Sequence, residues 1–539
     1  MSATDTEIAS SELADEVQEA PLPAGLRPGR METDRLARRV NVAEGRERKA
    51  ITSPLTGEVI GEVPLGTAED VAAAVAESRR VQRRWAQTPV KERAAVLLRY
   101  HDLILDHQDE VLDLIQAENG KARVWAFEEV LDQAITARYY ARLAPRALRP
   151  TPRLSAMPGL ISTREHHVPK GVVGIISPWN YPLVLAISDA IAALVAGNGV
   201  VIKPDSQTPF TALRAFELLE EAGLPEGLVQ VVTGPGTKVG TAIIESTDYV
   251  MFTGSTETGR TIAAQAAGRL VGFSAELGGK NPMIITSDVD LDRAVEGAAT
   301  ACFANTGQLC ISIERIYVDQ SIAGAFTNRF AKRVESLKLG AEQEYGPEVG
   351  ALASKAQLDK LTEHLTDAEE KGARVVAGGK PRPELGPFFH EPTVLTDVTP
   401  DMAVHREETF GPLVSIYPFT TIDEAIEQAN DTEYGLNASV YTGDAKKGKA
   451  IAARIMAGTV NVNDGYSSAW STLDAPMGGM KQSGVGRRHG REGLLKYTES
   501  QTIAVRTALA EKLQTPGTDP AGYAKRFSKI IRLSKHLPR

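Results

Sequence analysis

Cysteine is nearly absent from this sequence, which has only Cys302 and Cys310 among its 539 residues. Two cysteines cannot form the disulfide framework of a secreted protein or a cysteine-rich zinc site. The nine histidines show no His-Glu-x-x-His spacing, so no metal site is expected. These absences favour a protein of the reducing cytoplasm.

An excess of basic residues is also absent, since 60 Lys and Arg stand against 69 Asp and Glu. A nucleic-acid-binding surface needs positive charge, so no nucleic-acid partner is expected. Residues 1–19 lack the basic and apolar regions of a signal peptide. The most apolar run, residues 183–202, contains Ser188, Asp189 and Asn198, which favours a buried helix and strand over a membrane span.

Helical and strand patterns alternate along the chain, which predicts an α/β protein of more than one domain. Helices are predicted at residues 68–85, 91–116, 210–222, 238–245, 290–302, 322–337, 355–371 and 422–430. Strands are predicted at residues 171–176, 199–202, 228–232, 249–252, 282–286, 315–318, 414–418 and 438–441. Such alternation indicates parallel sheets covered by helices on both faces, with ligands beyond the carboxyl ends of the strands.

Cys310 is the candidate nucleophile. It follows the small and polar residues 304–308 rather than an apolar stripe, as expected for a partly exposed thiol. A catalytic thiol also needs a lowered pKa. A lone cysteine is more often a buried apolar residue, and we interpret Cys302, which lies among alanines and Phe303, in that way.

Glu276 and Asn180 are candidate partners of the thiol. Glu276 is an isolated carboxylate followed closely by Gly278 and Gly279, which suggests close approach of the backbone to a ligand. Asn180 follows a predicted strand, where its amide could donate to a developing oxyanion. The alternatives are a solvated or capping glutamate and an ordinary turn residue.

Two segments at predicted strand ends could hold a nucleotide. Lys203 follows the second strand, where an ammonium group can bind ribose hydroxyls or phosphate. Residues 254–259 follow the fourth strand and open a helix, whose free N–H groups can hold a pyrophosphate. This second segment is not the Gly-x-Gly-x-x-Gly fingerprint and is weak evidence alone.

Together, these segments resemble the aldehyde dehydrogenase superfamily, and within it most closely the succinate-semialdehyde dehydrogenases of the second type from actinobacteria. The resemblance covers residues 48–504. The matching motifs, in order, are Pro178-Trp179-Asn180, Lys203-Pro204, Phe252-Thr253-Gly254-Ser255, Glu276-Leu277-Gly278-Gly279-Lys280-Asn281, Gly307-Gln308-Leu309-Cys310, Glu408-Thr409-Phe410-Gly411-Pro412, Pro476-Met477-Gly478-Gly479 and Ser483-Gly484-Val485-Gly486-Arg487. Each motif is modest, but their order and spacing together are specific.

The resemblance implies a three-part fold. It comprises a Rossmann-type coenzyme domain, an α/β catalytic domain and a small β oligomerisation arm, with dimers or tetramers as the usual assemblies. The expected divisions are a flexible acidic tail at 1–40, the coenzyme domain at 41–151 and 171–277, the arm at 152–170 and 490–508, the catalytic domain at 278–489 and a basic extension at 509–539. In the basic extension, one helical face could be shared by Phe527, Ile530, Ile531, Ser534 and Leu537. Packing of this face on a neighbouring subunit or on the chain's own acidic surface is favoured over membrane binding.

The resemblance also implies a mechanism and a set of cofactor contacts. The Cys310 thiolate attacks the aldehyde, Asn180 and the Cys310 N–H stabilise the oxyanion, and Glu276 activates water. NADP is expected to be preferred over NAD, because Ser206 stands where the family often has a ribose-binding glutamate. The implied cofactor-binding residues are Ile176, Ser177, Trp179, Lys203, Ser206, Gly236, Gly254, Ser255, Leu277, Glu408 and Phe410.

Succinate semialdehyde is the implied substrate, and its distal carboxylate would need a buried positive partner. In better-known members two arginines supply this charge, at positions that are Ser188 and Ala304 here. Arg315 or Lys481 could substitute for them. The alternatives are transfer of the acyl group to coenzyme A, against which Glu276 argues, and a channel for an uncharged aldehyde lined by Tyr181, Tyr466 and Trp470.

Overall fold

The computed structural model describes residues 26, 27, 29–155, 160–508, 510 and 519–535. Within them the helices are α1 (Arg30–Ala37), α2 (Ala68–Trp85), α3 (Val90–Asp106), α4 (Gln108–Asn119), α5 (Arg123–Ala147), α6 (Val184–Ala196), α7 (Pro209–Glu221), α8 (Thr241–Ser246), α9 (Thr256–Gly268), α10 (Leu291–Phe303), α11 (Gln320–Glu335), α12 (Lys355–Glu370), α13 (Ala403–Arg406), α14 (Ile422–Asn430), α15 (Ala445–Ala452), α16 (Ser467–Trp470), α17 (Gly490–Leu495) and α18 (Pro520–Ser534). Short helical turns of other types occur at Gly236–Gly240, Ala304–Gly307 and Lys481–Ser483.

The first large sheet has six strands in the order β17-β9-β8-β5-β6-β7. These are β5 (Val172–Ile176), β6 (Gly199–Lys203), β7 (Val229–Val231), β8 (Tyr249–Thr253), β9 (Gly272–Glu276) and β17 (Gly484–Val485). All neighbours are parallel except β17 and β9. The strand order reverses between β5 and β8, and such a switch point opens a ligand crevice at the carboxyl ends of the strands.

The second large sheet has seven strands in the order β12-β13-β14-β11-β10-β15-β16. These are β10 (Asn281–Ile285), β11 (Ile313–Asp319), β12 (Arg374–Ala377), β13 (Thr393–Thr396), β14 (Leu413–Phe419), β15 (Asn437–Tyr441) and β16 (Thr459–Val462). Only β12 and β13 pair antiparallel. Central strands are buried on both faces in each sheet, which is why they read as continuous apolar runs in the sequence.

Two smaller sheets complete the fold. One pairs β1 (Arg48–Thr52) with β2 (Val59–Pro64). The other has the order β18-β4-β3, where β3 is Thr151–Arg153, β4 is Ile161–Pro169 and β18 is Thr498–Arg506. It joins the two segments expected to form the arm, and β18 is exposed along almost all of its length. Its role in oligomerisation stays a prediction.

The expected α/β class is confirmed, and three details differ from expectation. The predicted helix at 91–116 is two helices, because the chain turns at His107 between α3 and α4. The tail expected at 1–40 does not extend to residue 40, since α1 buries Leu36 and Ala37 in the core; residues 1–25 lie outside the described part. The arm segment expected at 490–508 begins with α17, which packs against α5 and α6 instead.

Helix α18 carries the expected basic residues and exposes Ile530 and Leu533. No helix in the described part of the chain is long and apolar enough to cross a membrane. Of the apolar face expected for the extension, Leu537 lies outside the described residues.

Candidate active site

Two cavities meet at the carboxyl edge of the first sheet. The strand-end cleft follows β5, β8 and β9 and is lined by Pro178, Trp179, Asn180, Leu185, Thr253, Gly254, Ser255, Glu276, Leu277, Gly278, Cys310, Gln357, Lys360, Glu408 and Phe410. The apolar channel is lined by Glu128, Leu131, Asp132, Ile135, Asn180, Tyr181, Val184, Leu185, Thr253, Glu276, Leu309, Cys310, Ile311, Tyr466, Ser467, Trp470, Ser471, Leu473, Met477 and Arg488. Cys310, Glu276 and Asn180 line both cavities, so the three candidate catalytic residues stand at their junction.

Cys310 lies on a backbone held in an unusual conformation. Asn305, Thr306 and Gly307 have consecutive positive φ angles of 50°, 57° and 70°. Such angles are strained for a β-branched residue like Thr306 and persist only where the surroundings enforce them. The Cys310 carbonyl accepts a hydrogen bond from Asn281 Nδ2 at 2.8 Å. The loop therefore fixes the direction in which the thiol enters the junction.

Asn180 is fixed by hydrogen bonds on both its backbone and its side chain. Its carbonyl accepts from Lys121 Nζ at 2.8 Å and from Asn305 Nδ2 at 3.0 Å. Its side-chain Nδ2 donates to the Gln308 carbonyl at 3.1 Å. An amide nitrogen carries two hydrogens, so one is left for a ligand in the two cavities that Asn180 lines.

Glu276 ends β9 and is buried at the junction. Burial raises the pKa of this carboxyl to about 7, although the charges of Arg488 and Lys496 lower it. A carboxyl with a pKa near neutrality can both take up and release a proton at physiological pH. Glu276 is therefore suited to general base chemistry.

The Cys310 thiol differs from the sequence-based expectation. Burial, together with the charges of Glu276 and Glu408, raises its pKa to about 12, whereas a catalytic thiol was expected to have a lowered pKa. Arg488 opposes this rise. The thiol in this arrangement needs a proton acceptor beside it to become nucleophilic, and Glu276 is the carboxylate at the same junction. Cys302, as expected, is buried in the core of the second sheet.

Arg488 is a site residue that sequence reasoning missed. Its Nη2 donates to Thr253 Oγ1 at 2.8 Å and lies 2.6 Å from Asp189 Oδ2. Asp189 also binds Lys496 Nζ at 3.0 Å and the Tyr497 hydroxyl at 2.7 Å. The only signal in the sequence was its place directly after the motif that ends at Arg487.

The strand-end cleft contains the residues that the resemblance assigns to nicotinamide binding. The Glu408 carboxylate accepts the Gly279 N–H at 2.8 Å, and the Phe410 ring packs edge-on against Trp179 at 5.6 Å between centroids. A buried glutamate not singled out from the sequence, Glu314, accepts the N–H groups of residues 409 and 410, each at 2.9 Å. Ser255 caps helix α9 by accepting the Thr258 N–H, and Gly254 and Leu277 line the cleft.

The other implied cofactor residues follow β5, β6 and β7. Lys203 is buried, and its Nζ donates to the Pro204 carbonyl at 3.1 Å. Burial lowers the pKa of Lys203, Asp205 opposes this, and the charge of the exposed Lys49 on β1 lowers it further. Ser206 donates to the Gly234 carbonyl at 3.3 Å.

Three further cofactor candidates lie on the same edge. Ile176 ends β5, and a Cβ built on Gly236 would meet nothing within 4 Å. The Ser177 hydroxyl is buried and has no hydrogen-bond partner within the described residues. Ser177 and Lys203, with the N-terminus of α9, offer donors suited to a phosphate-bearing ligand.

The wall of the apolar channel carries aromatic and acidic side chains. Tyr181, Tyr466 and Trp470 line it, as expected for an uncharged ligand. Arg315 is buried elsewhere and donates to three backbone carbonyls, so it is not the cation that was expected to help bind a carboxylate. Lys481 is excluded as well, because it donates to the carbonyls of residues 430 and 432. Among the described residues, Arg488 is the one basic residue that lines the channel.

Comparisons with known proteins agree on one family. The model of the aldehyde dehydrogenase family matches residues 41–503. The chain is 54% identical over 496 residues to a candidate NADP(+) succinate-semialdehyde dehydrogenase of Mycobacterium ulcerans (strain Agy99), covering 92% of this chain and 95% of the relative. It is 38% identical over 466 residues to 3-sulfolactaldehyde dehydrogenase of Pseudomonas putida, covering 86% and 94%. It is also similar to the NAD+ complex of aldehyde dehydrogenase from Bacillus cereus, with TM-score 0.82, 37% identity and coverage of 87% and 96%.

Proposed function

The chain belongs to the aldehyde dehydrogenase family, and we propose that it oxidises succinate semialdehyde to succinate with NADP+ as the preferred acceptor. The observation that carries the reaction is the junction of the two cavities, where a thiol, a carboxylate of near-neutral pKa and an amide donor meet. The substrate and the preferred nucleotide come from the relatives at 54% identity.

In the first half of the reaction the aldehyde enters from the apolar channel. Glu276 accepts the Cys310 proton, and the sulfur bonds to the aldehyde carbon, so the carbonyl oxygen becomes an oxyanion. The free hydrogen of the Asn180 amide and the Cys310 N–H donate to that oxyanion. Thr253 and Arg488 lie beside this centre, and the Arg488 charge lowers the pKa of both Cys310 and Glu276 against the burial that raises it.

In the second half the acyl group leaves Cys310. The thiohemiacetal carbon must lose a hydride to become a thioester, and a nicotinamide held by Glu408 and Phe410 would accept that hydride. Glu276 releases the Cys310 proton to solvent and then removes a proton from a water molecule, which attacks the thioester carbon. The carbon–sulfur bond breaks, the carboxylic acid departs, and Cys310 regains its proton.

The residues of the strand-end cleft fit a dinucleotide. Ser177 and Lys203 hold donors that the protein leaves largely unused, and α9 presents its N-terminus. Glu408 and Phe410 would hold the nicotinamide end, while Ile176, Trp179 and Leu277 would pack against the cofactor. Gly236, Gly254 and Ser255 would approach the adenosine and phosphates, and Glu314 would position the 408–410 loop.

Preference for NADP+ is proposed to reside at Ser206 and two lysines. A ribose 2′-phosphate carries negative charge, which Lys203 and Lys49 attract and a hydroxyl at residue 206 tolerates. We expect Ser206→Glu to lower the ratio of kcat/KM for NADP+ to that for NAD+ by about tenfold or more, because a carboxylate repels the phosphate. Ser206→Gln, which adds bulk without charge, is the matched control. A wild-type ratio that favours NAD+ would show that the proposed preference for NADP+ is wrong.

The proposed substrate is tested by measuring the product and by comparing kcat/KM values among aldehydes. With succinate semialdehyde and NADP+, one succinate should form for each NADPH, with no requirement for coenzyme A.

A broader aldehyde dehydrogenase is the second candidate, favoured by the aromatic lining of the channel. Values of kcat/KM for succinate semialdehyde, butanal and benzaldehyde separate the two, and equal or better use of butanal at every pH assigns the broader activity.

We also propose an assembly and a compartment for the protein. Exposed Val168, Ile503 and Val505 on the β18-β4-β3 sheet suit pairing with a second copy, so we infer a homodimer or homotetramer. Cys302 and Cys310 are both free thiols, and the mechanism requires Cys310 to stay reduced. A reducing cytoplasm meets that requirement.

A further inference from the structure

Glu128 is a carboxylate of the apolar channel that the proposed chemistry does not use. It lies on α5 and lines the channel without reaching the strand-end cleft, so it stands away from the junction that contains Cys310. Its Oε1 and Oε2 accept the Tyr466 hydroxyl at 3.0 and 3.3 Å. Tyr466 is itself buried, so the pair places a hydrogen-bonded carboxylate on the channel wall.

The groups around Glu128 leave its charge uncompensated. Lys121 faces it from the loop before α5, but Lys121 Nζ is paired with Glu129 Oε1 at 2.6 Å. Asp132, one turn along α5, adds a second negative charge and accepts the Ser188 hydroxyl at 3.0 Å. The facing Tyr466 and Tyr181 are neutral, because burial raises the pKa of each well above its usual value.

The one described basic residue on the channel wall does not offset this charge. Arg488 is paired with Asp189 and hydrogen-bonded to Thr253. An ionised Glu128 therefore makes the channel net negative on the side away from the junction. A substrate carboxylate placed there would meet a like charge in a medium of low dielectric constant.

We propose that Glu128 sets the charge selectivity of the channel, admitting an aldehyde with a distal carboxylate when neutral and selecting for an uncharged aldehyde when ionised. The neutral carboxyl can donate a hydrogen bond to the substrate carboxylate, whereas the ionised form can only accept. The inference rests on the proposed function, since succinate semialdehyde carries such a carboxylate. It also explains how an anionic substrate could use a channel without a free basic residue.

The carboxyl changes charge in the range where enzymes are assayed. Burial raises the pKa of Glu128 to about 7, the Tyr466 hydrogen bond and Lys121 lower it, and Glu129 and Asp132 raise it. Below this pH the neutral form dominates and the anionic substrate is accepted. Above it the ionised form dominates and the anionic substrate is repelled.

The test measures a ratio, kcat/KM for succinate semialdehyde divided by that for butanal, from about pH 6 to about pH 8.5. Titration of Glu276 or Cys310 affects both aldehydes and cancels in this ratio. We expect the wild-type ratio to fall by about tenfold as pH rises through about 7. Glu128→Gln should remove the fall through about pH 7 and raise the ratio above wild type at the alkaline end. The change that remains near pH 6 belongs to Asp132, because burial raises the pKa of that carboxyl to about 6. Tyr466→Phe removes the hydrogen bond that lowers the Glu128 pKa, so the fall should move to higher pH.

Glu335→Gln, the same change on the exposed face of α11, is the control and should retain the wild-type profile. A parallel series with 4-carboxybenzaldehyde and benzaldehyde separates this inference from the proposed substrate. If no enzyme form oxidises succinate semialdehyde, the proposed substrate is wrong and the aromatic pair alone decides about Glu128. A wild-type ratio that is flat in pH for the pair in use, or a Glu128→Gln profile identical to wild type, overturns the inference.

Discussion

Cys310→Ala should reduce aldehyde oxidation by about 10⁴-fold or more while leaving nucleotide binding intact. No other group at the junction can form a thioester, since the second cysteine, Cys302, is buried in the core of the other sheet. Replacing the thiol with a methyl group removes the reacting atom without removing a hydrogen-bond partner of the cofactor residues. Steady-state NADPH formation measures the loss, and NADP+ titration by fluorescence measures the binding that should persist.

The matched control is Cys302→Ala, which deletes the same atom at a site 2% exposed to solvent. Turnover of this variant should stay within about twofold of wild type, because a small buried side chain is exchanged for one of similar size. An inactive Cys302→Ala enzyme that remains folded, or an active Cys310→Ala enzyme, would place the nucleophile elsewhere.

Glu276→Gln should lower kcat by about 10²- to 10³-fold, the range that removal of a general base produces. The amide has the shape of the carboxyl but cannot take a proton from water, so the thioester should accumulate. A burst of NADPH equivalent to the active sites is expected in stopped flow, slower than in wild type because Glu276 also accepts the Cys310 proton, and it should be followed by turnover that is slower still. Equal loss of the burst and the steady state would instead make Glu276 chiefly the base for Cys310.

The same residue predicts a pH profile. The base must be ionised, and burial raises the pKa of Glu276 to about 7, so wild-type kcat should rise with pH through about 7. Glu276→Gln should lose this limb. Arg488→Gln should move the limb to higher pH, because Arg488 lowers the Glu276 pKa. This readout distinguishes an electrostatic role of Arg488 from a merely structural one.

Much of the fold could be predicted because its strands are buried on both faces. Continuous apolar runs such as Val172–Ile176 and Gly199–Lys203 mark central parallel strands directly. The two-residue strand Gly484–Val485 gives no such signal, because its place at a sheet edge depends on β9, more than 200 positions away. The sequence also did not predict that the chain turns at His107, because the helical spacing of apolar residues continues from α3 into α4.

The candidate catalytic residues were easier to predict than the residues around them. Cys310, Glu276 and Asn180 stand in motifs, and the structure brings all three to one junction. Arg488, Glu314 and Glu128 act through contacts with segments distant in the chain, so no local pattern marks them. The expectation that Arg315 or Lys481 could bind the substrate carboxylate was wrong for the same reason. Both side chains donate to backbone carbonyls that only the tertiary fold brings near them.

The central claim is that the substrate becomes a thioester on Cys310 that Glu276 releases through water. Intact-protein and peptide mass spectrometry of Glu276→Gln, quenched in acid after mixing with succinate semialdehyde and NADP+, tests it most directly. We predict a mass increase of one succinyl group per chain, located on the peptide that contains Cys310 and absent when NADP+ is omitted. An unmodified Cys310 peptide during the burst, or an acyl group on another residue, would contradict the mechanism.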